Sequence, residues 1–228
     1  MSILLVAATE FEIRPLLGQM AFQRKDQDRL HHYRFRSTAV DLLIPGVGMM
    51  QTAFHMGKLL GKSRYSLALN AGIAGTFNPS LKIGSVVNVT EECLPEMGAE
   101  DGAAFLSMFE LGLIDPDDFP YRSGKLINFR MPSSPALNLL PKVIGNTVNR
   151  VHGTLESIEK EKALFPADIE SMEGAAFLYS CLSESIPCAQ IRSISNYVEE
   201  RDKSRWNVSL ALKNLNKVLF DLIQELVS

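Results

Sequence analysis

The chain has 228 residues, of which 46% are hydrophobic and 21% charged, and its net charge is −3. This length suits one domain spanning residues 1–228 with a full hydrophobic core. The charge gives no electrostatic basis for binding nucleic acid or an anionic membrane, and no apolar run is long enough to span a bilayer. Three widely spaced cysteines favour reduced thiols in a cytoplasm, and no CxxC or HExxH pairing indicates a metal site.

Strand-like and helix-like segments alternate along the chain. The apolar runs of strand length are 3–8, 39–45, 66–71, 84–90, 147–152 and 187–195. The segments predicted as helices are 9–19, 49–61, 135–144, 157–165 and 172–184. Several of the strand runs are continuously apolar, as in strands buried on both faces. The alternation predicts an α/β fold with a mostly parallel or mixed sheet.

Two further segments have distinct patterns. From Trp206 to Val227 the leucines recur at steps of three and four, which predicts an amphipathic helix closing one face of the sheet. The stretch 91–122 is rich in glycine and proline, and we expect a long, partly irregular excursion that carries a short helix. Excursions of this length in compact domains are often functional.

Two glycine-containing segments follow predicted strands. Gly46-Val47-Gly48 opens a helix, but the third glycine of a dinucleotide fingerprint is missing because Gln51 stands there, so a tight strand-to-helix turn is the favoured interpretation. Segment 70–76, with sequence Asn-Ala-Gly-Ile-Ala-Gly-Thr, ends another strand. Its small residues would let a ligand approach the backbone, although a plain turn is the competing interpretation.

Three polar residues are candidates for a site. Glu12 lies in the first turn of the first predicted helix, where a solvated acid is also favoured by the helix dipole. Glu173 stands among small and apolar residues, where an unpaired buried charge would be costly. Asn196 ends an apolar strand, which is the mouth position of open α/β sheets, but a cap or turn residue would also fit there.

Taken in order, the chain's motifs resemble the nucleoside phosphorylase/nucleosidase superfamily, and more closely its hydrolase branch, which includes methylthioadenosine/S-adenosylhomocysteine nucleosidases. The resemblance covers nearly the whole chain, and its motifs are Ala7-Ala8-Thr9-Glu10-Phe11-Glu12, Gly46-Val47-Gly48, Asn70-Ala71-Gly72-Ile73-Ala74-Gly75, Lys82-Ile83-Gly84-Ser85-Val86-Val87, Ser171-Met172-Glu173-Gly174-Ala175-Ala176 and Arg192-Ser193-Ile194-Ser195-Asn196. It implies a single-domain, three-layer α/β/α fold around a central mixed sheet. It also implies a homo-oligomer built on a dimer, with no cofactor and no metal.

The resemblance also implies roles for individual residues. Glu12 matches the glutamate that activates the attacking water, and Glu173 matches the glutamate that binds the ribose hydroxyls. Met172 matches the methionine that packs against the sugar, and Asn196 stands where adenine-specific members carry the aspartate that protonates the purine. Leu155 is the candidate for the side chain that stacks on the base. The glycine segments would line the pocket through Gly48, Ala71, Gly72 and Ile73.

The departure at Asn196 bears on the substrate. An asparagine cannot supply a proton, but its NH₂ group suits the O6 or N7 acceptors of a 6-oxopurine. The segment 95–102 and the Ser195-Asn196 ending most resemble members that release hypoxanthine. Asn70 stands where phosphorylases carry a phosphate-binding arginine, which favours water as the nucleophile. An adenine-releasing nucleosidase, a phosphorylase and a non-catalytic nucleoside-binding protein are the alternatives. Arg192, Arg201 and the 91–122 excursion are candidates for holding the remainder of the nucleoside.

Overall fold

The computed structural model describes residues 2–26, 29–102 and 104–227. Within these residues the helices are α1 (Glu10–Leu17), α2 (Met49–Leu60), α3 (Pro135–Asn138), α4 (Leu155–Leu164), α5 (Gly174–Ser183) and α6 (Val208–Leu226), with a 3₁₀ turn at Lys203–Arg205. The strands are β1 (Ser2–Val6), β2 (Ala21–Lys25), β3 (Leu30–Phe35), β4 (Thr38–Leu43), β5 (Leu67–Thr76), β6 (Val86–Cys93), β7 (Gly98–Asp101), β8 (Ala104–Ser107), β9 (Tyr121–Arg122), β10 (Lys125–Ile127), β11 (Lys142–Thr147), β12 (Ile169–Ser171) and β13 (Cys188–Tyr197). None of the helices among these residues is long and apolar enough to cross a membrane.

Most of the strands form one mixed sheet, which curls into a closed ring at its centre. β5 pairs with β12, β12 with β11 and β11 with β6, while β13 pairs with both β6 and β5 and completes the circuit. On the other side of β5 the sheet continues through β1, β4, β3 and β2. The ring matters for function because β5, β12 and β13 all end at the same cavity, described below.

Helices cover both faces of the sheet, as predicted for a three-layer α/β/α fold. Alternate residues of β1 point to opposite faces, so Ile3 and Leu5 pack with α1 and α6, whereas Leu4 and Val6 pack with α2 and α5. This two-sided burial explains why β1 is continuously apolar in sequence. The predicted C-terminal helix is confirmed as α6, and its leucine stripe is buried against β5 and β13.

Three sequence-based predictions of local structure are wrong. The predicted helix 135–144 ends at Asn138, and strand β11 starts at Lys142; Pro141 stands between them, and proline disfavours a helical conformation in the residue before it. The predicted strand 147–152 is mostly the loop that follows β11. Within the described part of 91–122, the structure has the β7–β8 hairpin and turns where a short helix was expected.

Candidate active site

A cavity of about 340 Å³ opens at the ends of β1, β5, β12 and β13. Residues from β5, β12 and β13, from the turn that follows β1, and from α1 and α6 reach it, so the sheet fixes its floor and the helices its walls. The lining residues are Ala8, Thr9, Phe11, Glu12, Val47, Ile73, Ala74, Gly75, Val151, Glu170, Ser171, Met172, Glu173, Ser195, Asn196, Trp206, Val208 and Leu212. Four of the residues predicted to form a site, Glu12, Met172, Glu173 and Asn196, are thus brought together in one cavity.

Glu12 is held in the cavity by a capping box at the start of α1. One carboxylate oxygen, Oε2, accepts from the backbone N–H of Thr9 at 2.9 Å and from its hydroxyl at 3.2 Å. The other, Oε1, accepts from the backbone N–H of Ile73 at 3.4 Å. Burial raises the pKa of Glu12, and the Arg192 charge opposes that rise. Glu12 is therefore a fixed carboxylate with heightened basicity, which suits a general base.

Glu173 is fixed from both sides at the start of α5. Its Oε1 accepts from the backbone N–H of Gly48 at 3.0 Å, and its Oε2 lies 3.7 Å from Nη1 of Arg192. Gly48 has φ +100°, a conformation that L side chains rarely adopt, and this lets the glycine turn present its N–H to the carboxylate. Met172, the residue before Glu173, lies on the same cavity wall.

Arg192 lies beneath the two carboxylates and is almost fully buried, with 1% of its surface exposed. Its Nη2 donates to Oδ1 of Asn70 at 2.6 Å, and Asn70 in turn donates to the carbonyl of Val6 at 3.1 Å. Gly72 passes directly under the guanidinium, and a Cβ at this position would collide with Nη1 of Arg192. Arg192 is therefore an internal counter-charge to the two carboxylates. The prediction that it holds the remainder of the nucleoside is wrong, because its guanidinium is buried beneath the cavity.

Asn196 lies at the far end of β13, where the pairing with β5 shifts register. Its Oδ1 accepts from the hydroxyl of Ser195 at 2.7 Å, and its Nδ2 donates to the carbonyl of Tyr197 at 3.0 Å. Each amide atom retains hydrogen-bonding capacity, since the NH₂ group has two hydrogens and the oxygen two lone pairs. Asn196 can therefore both donate to and accept from a ligand in the cavity.

The structure places several other predicted residues outside the cavity lining. Leu155 starts α4 and is 60% exposed, so its position does not suit a base-stacking side chain. Ile73 lines the cavity, whereas Gly48, Ala71 and Gly72 support the lining residues from outside it. The competing interpretation of segment 70–76 as a plain turn is wrong, because strand β5 continues through Thr76.

Some lining residues have no assigned role in the sequence motifs. Trp206 and Phe11 supply aromatic surface, and Val151 comes from a segment with no recognisable motif. Glu170 stands immediately before the motif that starts at Ser171, but the motif assigns it no role. Trp206 is the chain's single tryptophan, and Arg201 lies over its ring at 5.5 Å, so Arg201 packs against this wall of the site. The single tryptophan, close to the predicted C-terminal helix, is the one sequence signal that would have indicated this wall.

The cavity has a strongly acidic character. Three lining carboxylates, Glu12, Glu170 and Glu173, are each less than 10% exposed, and none of the described residues that line the cavity is lysine or arginine. An acidic cavity favours a cationic transition state and disfavours an anionic co-substrate such as phosphate. Among the described residues no group of three or more histidine, cysteine, aspartate or glutamate side chains is arranged to hold a metal ion.

The profile of the phosphorylase superfamily matches residues 2–228, and the chain belongs to that superfamily. It is 28% identical to a futalosine hydrolase of Thermus thermophilus over 83% of this chain and 84% of the relative. It is 25% identical to a 5'-methylthioadenosine/S-adenosylhomocysteine nucleosidase of Maridesulfovibrio salexigens over 99% and 100% of the two chains. These relatives are nucleosidases, which are hydrolases, and the chain is an enzyme of this kind.

The fold is shared with solved nucleosidase structures. The nucleosidase of Colwellia psychrerythraea, solved in complex with adenine, superposes with a TM-score of 0.79 at 19% identity, covering 99% of this chain and 96% of that one. At this identity the likeness concerns the fold, and it agrees with the three layers described above.

Proposed function

We propose that this enzyme hydrolyses the N-glycosidic bond of futalosine, giving dehypoxanthine futalosine and hypoxanthine in the alternative, futalosine-dependent route to menaquinone. The observation that carries the proposal is the convergence of Glu12 and Glu173 on one acidic cavity that also contains Asn196. The resemblance of segment 95–102 and of the Ser195-Asn196 ending to futalosine hydrolase, together with the similarity to the Thermus thermophilus enzyme, supports this substrate.

Cleavage of an N-glycosidic bond develops positive charge on the ribose, as in glycoside hydrolysis. In the proposed mechanism Glu12 accepts a proton from the attacking water, while Glu173 accepts hydrogen bonds from the two ribose hydroxyls. The carboxylates also stabilise the developing cation, because the cavity excludes most of the solvent that would otherwise screen them. Met172 packs against the sugar, and water attacks the anomeric carbon as the bond to the base breaks.

The base is assigned to hypoxanthine on the chemistry of Asn196. Its NH₂ group can donate to O6 or N7 of a 6-oxopurine, and its carbonyl can accept from N7–H once the leaving base is protonated. An asparagine cannot itself protonate N7, so the proton comes from water or from another group. Aminofutalosine and methylthioadenosine, which carry 6-aminopurines, are less suited to this residue.

A wide groove beside the cavity provides room for the carboxyaryl tail of futalosine. The groove has a volume of about 810 Å³, lies between α1 and α6, and shares the lining residues Phe11, Val208 and Leu212 with the cavity. Its apolar wall suits an aryl ring. Three cationic side chains that line it, Arg14, Lys213 and Lys217, suit a carboxylate.

The decisive test is incubation with futalosine and with aminofutalosine in the absence of phosphate, with chromatographic detection of the released base. We expect hypoxanthine release from futalosine without phosphate, and a requirement for phosphate would contradict the assignment as a hydrolase. Glu12→Gln should lose turnover but keep binding. The matched control is Glu10→Gln, two residues earlier in the same helical turn, where the glutamate forms a surface ion pair with Arg14.

We also propose that the enzyme is a cytoplasmic homo-oligomer built on a dimer. The face of α2 and the turn before it expose large apolar side chains, with Val47 50%, Met50 81% and Phe54 64% exposed. Val47 also lines the cavity, so an interface here would adjoin the site. Light scattering should give a mass of at least two chains, and Met50→Lys should reduce it.

A further inference from the structure

Two polar side chains of the cavity flank a single glycine in the sheet. Gly75 of β5 pairs with Glu170 of β12 on one side and with Asn196 of β13 on the other. A Cβ at Gly75 would lie 3.2 Å from Nδ2 of Asn196 and 3.7 Å from Cγ of Glu170, so both side chains converge over the bare glycine. Nδ2 of Asn196 and Cγ of Glu170 therefore lie no more than about 7 Å apart, which is close enough for both side chains to contact neighbouring atoms of one purine ring.

Glu170 is held in place by the backbone and ring of His152. Its carboxylate accepts from the backbone N–H of His152 at 3.2 Å, and Oε2 lies 2.7 Å from the ring Nδ1. On its other side His152 Nε2 lies 3.8 Å from Glu161, whose Oε1 accepts from the side chain of Asn146 at 2.6 Å. The hydrogen bond to Glu170 and the charges of Glu170 and Glu161 raise the pKa of His152 and favour its imidazolium form.

From this geometry we propose that Glu170 determines base specificity by accepting a hydrogen bond from N1–H of a 6-oxopurine, with His152 as its positioning residue. The inference rests on the proposed function, in which Asn196 contacts the same base at O6 or N7. Hypoxanthine carries a hydrogen at N1, whereas adenine presents a lone pair there. A carboxylate attracts the first and repels the second, so Glu170 selects against adenine at a ring atom that Asn196 does not contact.

Glu170 has the accepting capacity for this role. An ionised carboxylate offers about four lone-pair directions, and His152 occupies two of them. The side chain is 4% exposed and lines the cavity, so the remaining lone pairs face the ligand space and not bulk water. A carboxylate that served only to fix the loop after β11 would be satisfied by His152 alone and would not affect which base binds.

The test is the binding of free bases, measured by calorimetry on the full-length enzyme, because it does not depend on which nucleoside is cleaved. We expect wild type to prefer hypoxanthine over adenine, and Glu170→Gln to lower the ratio of the two affinities by about tenfold or more. The matched control is Glu161→Gln, which removes the other carboxylate beside His152 but does not line the cavity and should leave the ratio near its wild-type value.

A second measurement needs no variant and decides the matter if Glu170→Gln fails to fold. 1-Methylhypoxanthine lacks the N1 hydrogen, and we expect it to bind wild type at least about tenfold more weakly than hypoxanthine. Equal binding of the two bases, or an unchanged hypoxanthine-to-adenine ratio in folded Glu170→Gln, would overturn the inference. If futalosine is not cleaved but the ratio still depends on Glu170, the proposed substrate is wrong and the base-reading role stands.

Discussion

Replacing Arg192 by methionine tests the electrostatic design of the site. The guanidinium is the counter-charge beneath Glu12 and Glu173, and methionine keeps much of its apolar volume without its charge. Glu12 must be ionised to activate water, and Arg192 opposes the burial that raises its pKa. Without that charge the pKa of Glu12 rises further, so the acid limb of the pH–rate profile moves to higher pH.

The size of the shift follows from the proximity of the charges. An opposite charge within about 4–6 Å lowers a carboxyl pKa by about 1–3 units, and removing it reverses that effect. On the acid limb each unit is a tenfold loss, so activity there should fall by about 10- to 1,000-fold and recover in part at alkaline pH. The substitution also affects folding. In the wild type, Oε2 of Glu173 lies 3.7 Å from Arg192, and leaving this buried carboxylate without its partner should lower the free energy of unfolding by about 3–5 kcal/mol.

The assay is kcat/KM for base release between pH 5 and 9, which reports the ionisation of groups in the free enzyme. Arg192→Lys is the control, because it keeps the charge but cannot contact Asn70 and Glu173 together as the guanidinium does. We expect it to lower kcat/KM while leaving the acid limb near its wild-type position. An acid limb at the same pH in wild type and Arg192→Met, with both proteins folded, would refute the reasoning.

Three further predictions follow from other parts of the molecule. Asn196→Asp should shift preference towards 6-aminopurine nucleosides, and an unchanged ratio of kcat/KM for the two base types would contradict the role of the amide. Burial raises the pKa of Glu92 to about 7, so its contribution to stability is present below the pKa of the unfolded chain and is lost as pH rises through about 7. In the wild type, Glu92 should therefore lower the free energy of unfolding by about 3 kcal/mol as the pH rises from 4.5 to 8, and Glu92→Gln should abolish this decrease. Urea unfolding at several pH values measures both. The double change Lys213→Glu and Lys217→Glu should raise KM for futalosine but leave the binding of free hypoxanthine, which has no acidic tail, unaffected. An unchanged KM for futalosine would show that the groove does not hold the tail.

The parts of the fold predicted correctly are those with a strong hydrophobic pattern. β1 has a continuous apolar run because both of its faces are covered, β5 and β13 are buried along most of their length, and α6 has a regular stripe. By contrast, β12 has three residues and includes Glu170, so no periodicity marks it as a strand. Its place is fixed by pairing with β5 and β11, and such long-range pairing leaves no local signal.

The candidate site was predicted in part, and for a similar reason. Glu12 and Glu173 stand in motifs that a family resemblance can assign, and the structure brings both to one cavity. The partners that control them are distant in sequence: Arg192 binds Asn70 across 122 positions, and Glu173 binds Gly48 across 125. The sequence therefore suggested that Arg192 was available to bind a ligand. In the fold it is almost fully buried and acts as a fixed internal charge.

The closed ring of strands has a consequence for how the enzyme completes its cycle. A sheet with free edges can fray, but β5, β12 and β13 are each paired on both sides, so opening the floor of the cavity would break several ladders at once. Their amides should be among the slowest in the chain to exchange with deuterium. Entry of the nucleoside and departure of the base then depend on the segments above the floor, such as the turn bearing Val47 and the stretch leading to Trp206. Changes in those two segments should alter the rate of product release while the chemistry at the glycosidic bond proceeds at its normal rate.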